Sequence, residues 1–241
     1  MLSDYNCRIL DIDRYKLYLG DPSLLAAERK RIKDDIAVLG NLGFHKLICQ
    51  VRHDTNVSVD HTKKVSSSLK RFLKEFVFNK GLSKFKLSIV HVLYLSEDAP
   101  YIKNIRELAV SKTNYIFIEL PLIEQDHVPL AINKILYQCK LIPIFTEFHT
   151  CTALYDLTEV NKLINIKNAA FQFSLKSAVL PNNISHIKRI LRNGNTVLIG
   201  SSCDHSNFNK VELKKNLTML QKLLGNDYYM TLVMRARSFI M

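Results

Sequence analysis

The sequence predicts an α/β barrel of seven strand–helix units. Three observations carry that reading. Buried-strand patterns alternate with amphipathic-helix patterns seven times without a break, as parallel strands joined by crossover helices require. The 241 residues are 47% hydrophobic. That suits one domain with a substantial core, and α/β barrels reach about this length as single domains. No glycine-rich phosphate loop follows any strand, so neither a dinucleotide fold nor a P-loop protein is indicated.

The elements follow in order. Cys7 to Ile12 reads as the first strand. Asp21-Pro22 then starts a helix, an N-cap acceptor followed by proline at the first helical position. Leu25, Ile32, Ile36 and Leu39 mark its apolar face, and Gly43 ends it. Lys46 to Val51 is the second strand. Val65, Leu69, Phe72, Leu73 and Phe76 define the next helix. Lys86 to Leu93 is the third strand, and Tyr101 to Leu108 a short helix. Tyr115 to Glu119 is the fourth strand, apolar on both faces and stopped by Pro121, which cannot donate a ladder hydrogen bond. Val128, Ile132, Ile135 and Leu136 keep helical spacing after it. Ile142 to Phe145, Ala170 to Phe173 and Thr196 to Gly200 are the last three strands. Helices carrying Leu157, Val160, Leu163 and Ile164, and Ile184, Ile187, Ile190 and Leu191, separate them. Two helices finish the chain, the second starting near Asn226-Asp227. The expectation is one domain over 1–241, with the helices of 210–241 packed on it.

Composition narrows the class. The five cysteines are odd in number and form no C-x-x-C pair, which suggests free thiols in a reducing compartment rather than a disulfide framework or zinc module. The opening residues lack a basic-then-apolar leader pattern. The longest apolar stretch, Leu87 to Leu95, is broken by Ser88 and His91 and falls short of the roughly 20 residues a membrane span needs. A cytoplasmic location is expected, with any membrane association through a partner. The net charge is +12, with clusters at Arg29-Lys30-Arg31, Lys70-Arg71 and Lys188-Arg189. A basic surface attracts anionic partners. These clusters lie on helix faces without the aromatic interleaving of a single-strand binding platform, so nucleic acid is the lesser expectation.

In barrels of parallel strands, chemistry is done at the C-terminal strand ends. Those ends carry Asp11, Asp13 and Tyr15, then Arg52, His53 and Asp54. They continue with Glu119, with Glu147 and His149, and with Cys203, Asp204 and His205. Carboxylates and imidazoles gathered at one mouth suggest a divalent site such as manganese, iron or zinc. Such a metal polarises phosphoryl oxygens and generates hydroxide.

The run Tyr115-Ile116-Phe117-Ile118-Glu119-Leu120-Pro121, followed by Asp126-His127-Val128-Pro129, resembles the PHP (polymerase and histidinol phosphatase) superfamily. The likeness is greatest to its capsular-polysaccharide tyrosine phosphatases. It continues through Ile142-Pro143-Ile144, Ala170 to Ser177, and Leu224-Gly225-Asn226-Asp227-Tyr228 before Ala236-Arg237. The resemblance implies a distorted (β/α)7 TIM-like barrel, the PHP fold. It implies manganese or another divalent metal as cofactor and phosphotyrosine hydrolysis as activity. It also implies, as partner, the phosphotyrosine or acidic tail of a tyrosine kinase that controls polysaccharide export.

The departures from the family pattern fall on the ligands. The family's D-x-H-x-H stands here as Asp11-Ile12-Asp13-Arg14-Tyr15. Its T-P-H-H is Gln50-Val51-Arg52-His53, and its H-P-E-R is Glu147-Phe148-His149-Thr150. Its D-A-H matches Cys203-Asp204-His205 only with a one-residue shift, and Tyr94 lies near the place of a lost glutamate. Glu119 is the ligand position kept cleanly. Aspartate can replace histidine as a ligand, but arginine has no acceptor and stays charged. The resemblance therefore leads to a relative that is weakened or inactive and acts by binding, with the polynuclear metal site lost. One alternative is an active phosphatase with Asp13, Glu119, Glu147 and Asp204 on the metal and Arg52, His53 and His205 on phosphate or proton. Another is a basic RNA-binding barrel. Whether Glu119 faces a metal or Arg52 separates the first two.

Overall fold

The structure, a computed structural model, describes residues 12–13, 46–53, 58–79, 86–123, 126–200 and 210–239. Seven strands form one sheet in sequence order: β1 (Ile12–Asp13), β2 (Lys46–His53), β3 (Lys86–Tyr94), β4 (Tyr115–Glu119), β5 (Ile142–Thr146), β6 (Ala170–Ser174) and β7 (Thr196–Gly200). Each neighbouring pair is parallel. The expected alternation of strands and helices is therefore present throughout the described chain. The expected first strand is seen only as Ile12–Asp13, and the predicted helix between Asp21 and Gly43 lies outside the described residues.

The sheet is strongly curled. The Gln50 Nε2 on β2 donates to the Gln172 Oε1 on β6 at 2.8 Å, with both side chains buried. Four strand spacings in a flat sheet would separate them by about 19 Å. β1 and β7 also approach to within 8 Å, Cα to Cα. No ladder joins those two edges among the described residues.

Curling gives the sheet two different faces. Inside, Val90, Val92, Phe117, Ile144, Ala170 and Leu198 form one apolar cluster. Outside, the alternate residues Val51, Leu93, Ile116, Ile118, Phe145, Phe171, Phe173, Val197 and Ile199 meet the helices in a larger core. This is the period-two alternation of strands applied to a rolled sheet.

The helices cover the outer face. α1 (Val59–Asn79) opens where Ser58 Oγ accepts from the His61 N–H at 3.2 Å. Its Val59, Thr62 and Ser66 are buried at helical spacing. α2 (His127–Tyr137) buries Val128, Ala131, Ile132 and Ile135. α3 (Phe148–Leu154) was not legible in the sequence. It is held by Phe148, whose ring meets Phe171 edge-on at 4.7 Å. α4 (Leu157–Ile164) follows, and α5 (Leu175–Ala178) is a single turn that was also missed. α6 (Pro181–Arg192) carries the expected apolar face and starts on Pro181, a boundary the sequence reading did not name. α7 (Lys210–Leu224) and α8 (Asn226–Phe239) are separated by Gly225 at φ 79°, a left-handed turn that suits glycine. α8 is fastened to the end of α6 and to the turn before β7 by Arg235, whose Nη1 donates to the carbonyls of Leu191 and Asn195. The single helix expected over Tyr101 to Leu108 is two 3-10 turns, Ala99–Tyr101 and Ile105–Leu108, because Asn104 turns left-handed at φ 63° between them.

Candidate functional site

The C-terminal ends of β2, β3 and β4 bring three interior side chains together. Tyr94 and Glu119 are register partners, and Arg52 pairs with Val92, two residues before Tyr94. Alternation puts all three on the inner face. Arg52 Nε lies 3.5 Å from Glu119 Oε2, with the side chains 30% and 15% exposed. The guanidinium carbon sits 4.5 Å from the centroid of the Tyr94 ring. Glu119 therefore faces a guanidinium. The stacked cation is held from two sides, by a carboxylate and by an aromatic face.

A polar floor lies one layer deeper. The Gln50–Gln172 amide pair spans the interior, and Gln50 Oε1 is buried without a hydrogen-bond partner among the described residues. Thr146, the register partner of Glu119, is buried and donates to the Ile118 carbonyl at 3.2 Å. The two glutamines escaped the sequence reading. The signal was available: Gln50 shares the period-two phase of Arg52, and Gln172 is the one amide inside a fully buried strand.

The remaining candidates are placed as follows. His53 lies on the opposite face of β2 from Arg52. It is fully buried under α1, with its Nδ1 2.8 Å from Thr62 Oγ1. The structure thus does not bring it together with Arg52 and Glu119. Glu147 is in the turn after Thr146, in a left-handed conformation at φ 46°. His149 is in the first turn of α3. Asp13 pairs in register with Cys49, and its side chain lies outside what is described. Asp204 and His205 lie outside the described residues, as do Asp11, Tyr15, Asp54 and Cys203.

Thiolate chemistry is not supplied here by Cys151. Burial pushes its thiol up to about 12, and the charge of Glu119 adds to that rise. At neutral pH it is a thiol, not a nucleophile. Cys139 is likewise raised by burial.

A manganese cluster needs several carboxylates and neutral imidazoles converging on one point. Among the described residues no three His, Cys, Asp or Glu side chains gather that way. Glu119, the best ligand candidate, is paired with a group that cannot ligate. The described residues do not fit a polynuclear centre.

No protein-family model matches the chain, and no curated protein matches its sequence. Its structure is similar to one described with YwqE from Bacillus subtilis and CpsB from Streptococcus pneumoniae, unique metal-dependent tyrosine phosphatases. The TM-score is 0.62 over 87% of this chain and 85% of the other, at 15% identity. The chain shares its fold with a metal-dependent tyrosine phosphatase. At 15% identity the likeness to CpsB and YwqE speaks for the fold alone. No helix among the described residues is long and apolar enough to cross a membrane.

Proposed function

We propose that the chain is a PHP-type barrel related to the metal-dependent tyrosine phosphatases of capsular and exopolysaccharide biosynthesis. In this reading it has exchanged hydrolysis for binding. Its ligand is a phosphotyrosine or acidic tail, such as that of a polysaccharide-export kinase, met at the mouth by Arg52. The observation that carries this reading is Arg52 lying against Glu119, where the family resemblance calls for a metal cation. A guanidinium has five donors in a rigid fork. The Nε–Glu119 contact uses one of them, and the 30% exposure of the side chain leaves the fork within reach of a phosphate from solvent. The curl of the sheet and the nearness of β1 to β7 support a closed (β/α)7 barrel as part of the same reading.

The test joins bound metal, turnover and binding. Purified chain is expected to hold substoichiometric manganese and to leave a phosphotyrosine peptide intact in added Mn. Arg52→Ala should weaken that peptide's binding by about 10- to 150-fold, the loss of a charge-assisted hydrogen bond of 1.5–3 kcal/mol. One manganese or more per chain, with Mn-dependent turnover abolished by Glu119→Gln, would overturn the reading. It would favour an active enzyme using Asp13, Glu119, Glu147 and Asp204.

A further inference from the structure

The opposite end of the barrel carries a second, independent feature. Four consecutive turns lead into β4, β5, β6 and β7, over residues 109–114, 138–141, 165–169 and 192–195. Each contains an exposed basic residue: Lys112, Lys140, Lys167 and Arg192. None contains an aspartate or glutamate. The first turn is joined to the start of β5 and the third to the fourth, and β5 pairs with β6 between them. The Ile142 N–H donates to the Asn114 carbonyl at 2.7 Å, and Asn193 Nδ2 donates to Asn165 Oδ1 at 2.9 Å. The four cations thus belong to one continuous surface.

Two of the four are held in an unusual backbone state. Lys112 and Lys140 adopt left-handed conformations, at φ 63° and 53°. Glycine or asparagine takes such positions at lower cost, and a lysine there costs about 1 kcal/mol. Helix C-termini favour nearby cations, which accounts for some of the charge. It does not account for four turns without a single carboxylate, nor for lysine at two positions that suit glycine.

We propose that this face binds the phosphate backbone of a duplex nucleic acid. Along the curled sheet each turn lies one strand spacing, about 4.8 Å, from the next, so the cations form a short arc. Exposed Asn114, Asn165, Asn168 and Asn193 add hydrogen-bonding groups between the cations. A lipid surface fits less well, because none of the four turns exposes a large apolar side chain; the nearest, Tyr137 at 78% exposure, ends α2 just before the second turn. The exposed Leu122, Ile123, Leu154, Leu157 and Leu180 lie toward the mouth. Single strands fit less well, because the turns offer no stacking platform.

The experiment measures anisotropy of a labelled 20-base-pair duplex of mixed sequence against the full chain. With four phosphate contacts, log affinity should fall with log salt at a slope of about −3.6, roughly two orders of magnitude between 50 and 200 mM. Lys140→Glu with Lys167→Glu should lower affinity by more than about 30-fold and flatten the slope by about 2. Lys64→Glu with Lys70→Glu, an equal charge change on the exposed face of α1, should cost less than about threefold. If the glutamate pair misfolds, Lys140→Gly serves instead, removing one cation while relieving its backbone. Equal losses from the two pairs would overturn the proposal, as would binding confined to phosphatidylserine vesicles or no binding at 50 mM salt. Because no phosphotyrosine ligand is used, failure here leaves the reading of the mouth untouched.

Discussion

A guanidinium offers no lone pair, so Arg52 can complete a carboxylate cluster only by neutralising it. That single residue changes what the mouth can do. With Arg52 stacked on Tyr94 and paired to Glu119, the strand ends present a fixed cation that is 30% exposed. The neighbouring residue has a different fate. His53 turns outward with His91, and α1 hydrogen-bonds both, through Thr62 and Ser66, the latter 2.9 Å from His91 Nε2. Burial lowers His91 to about 4, with the charges of His53 and Lys63 contributing. Above pH 6.5 His91 is neutral whether folded or not and contributes nothing. Between pH 6.5 and about 4 only the unfolded chain takes up the proton, so stability falls as pH falls. The full effect is about 3 kcal/mol, complete below pH 4. Urea midpoints measured from pH 7 to 4 should fall for the wild type and fall less for His91→Gln. Identical slopes would show that other groups set the acid sensitivity. The opposite directions of Arg52 and His53 were legible in the sequence, since adjacent strand residues face opposite ways. Reading both as one strand-end cluster followed their place at the strand end rather than the alternation.

At the level of elements, strong local signals were read in part and weak ones were missed. β4 ends at Glu119, two residues before Pro121, as expected, whereas the start of α6 at Pro181 was an equally local signal that went unread. α4 begins at Leu157 after Asp156, whose Oδ1 accepts from the Glu159 N–H at 2.8 Å. Removing that acceptor leaves an unpaired donor at the helix start. Asp156→Ala should cost about 1 kcal/mol, and a thermal melt should register a drop of about 2–4 °C. Asp156→Asn should recover most of it, and an alanine variant as stable as wild type would show that α4 is held by packing alone. α3 escaped prediction for a physical reason. It has seven residues, two of them buried, and it begins on Glu147 in a left-handed turn without a side-chain cap. The packing of Phe148 against Phe145, Phe171 and Phe173 explains it, and a sequence does not display those contacts.

For the whole molecule, the alternation of elements was enough to specify a parallel sheet in sequence order, and its curl follows from burying both faces. The site was less legible. Its residues come from β2, β3, β4 and β6, and their proximity depends on how tightly the sheet rolls. The Gln50–Gln172 bridge records that roll, and it also has a consequence for time. It joins residues 122 apart in sequence. Closing so long a loop loses entropy before any contact is gained, so the bridge should form late in folding. Its loss should then act on the exit from the native state rather than on the approach to it. Gln172→Leu strands a buried amide at a cost of 1–3 kcal/mol, and unfolding should accelerate about 5- to 150-fold with refolding nearly unchanged. Stopped-flow chevrons would reveal this as a raised unfolding arm alone. A depressed refolding arm would mean that the two halves of the sheet meet early, and that its rolling up is what the chain waits for.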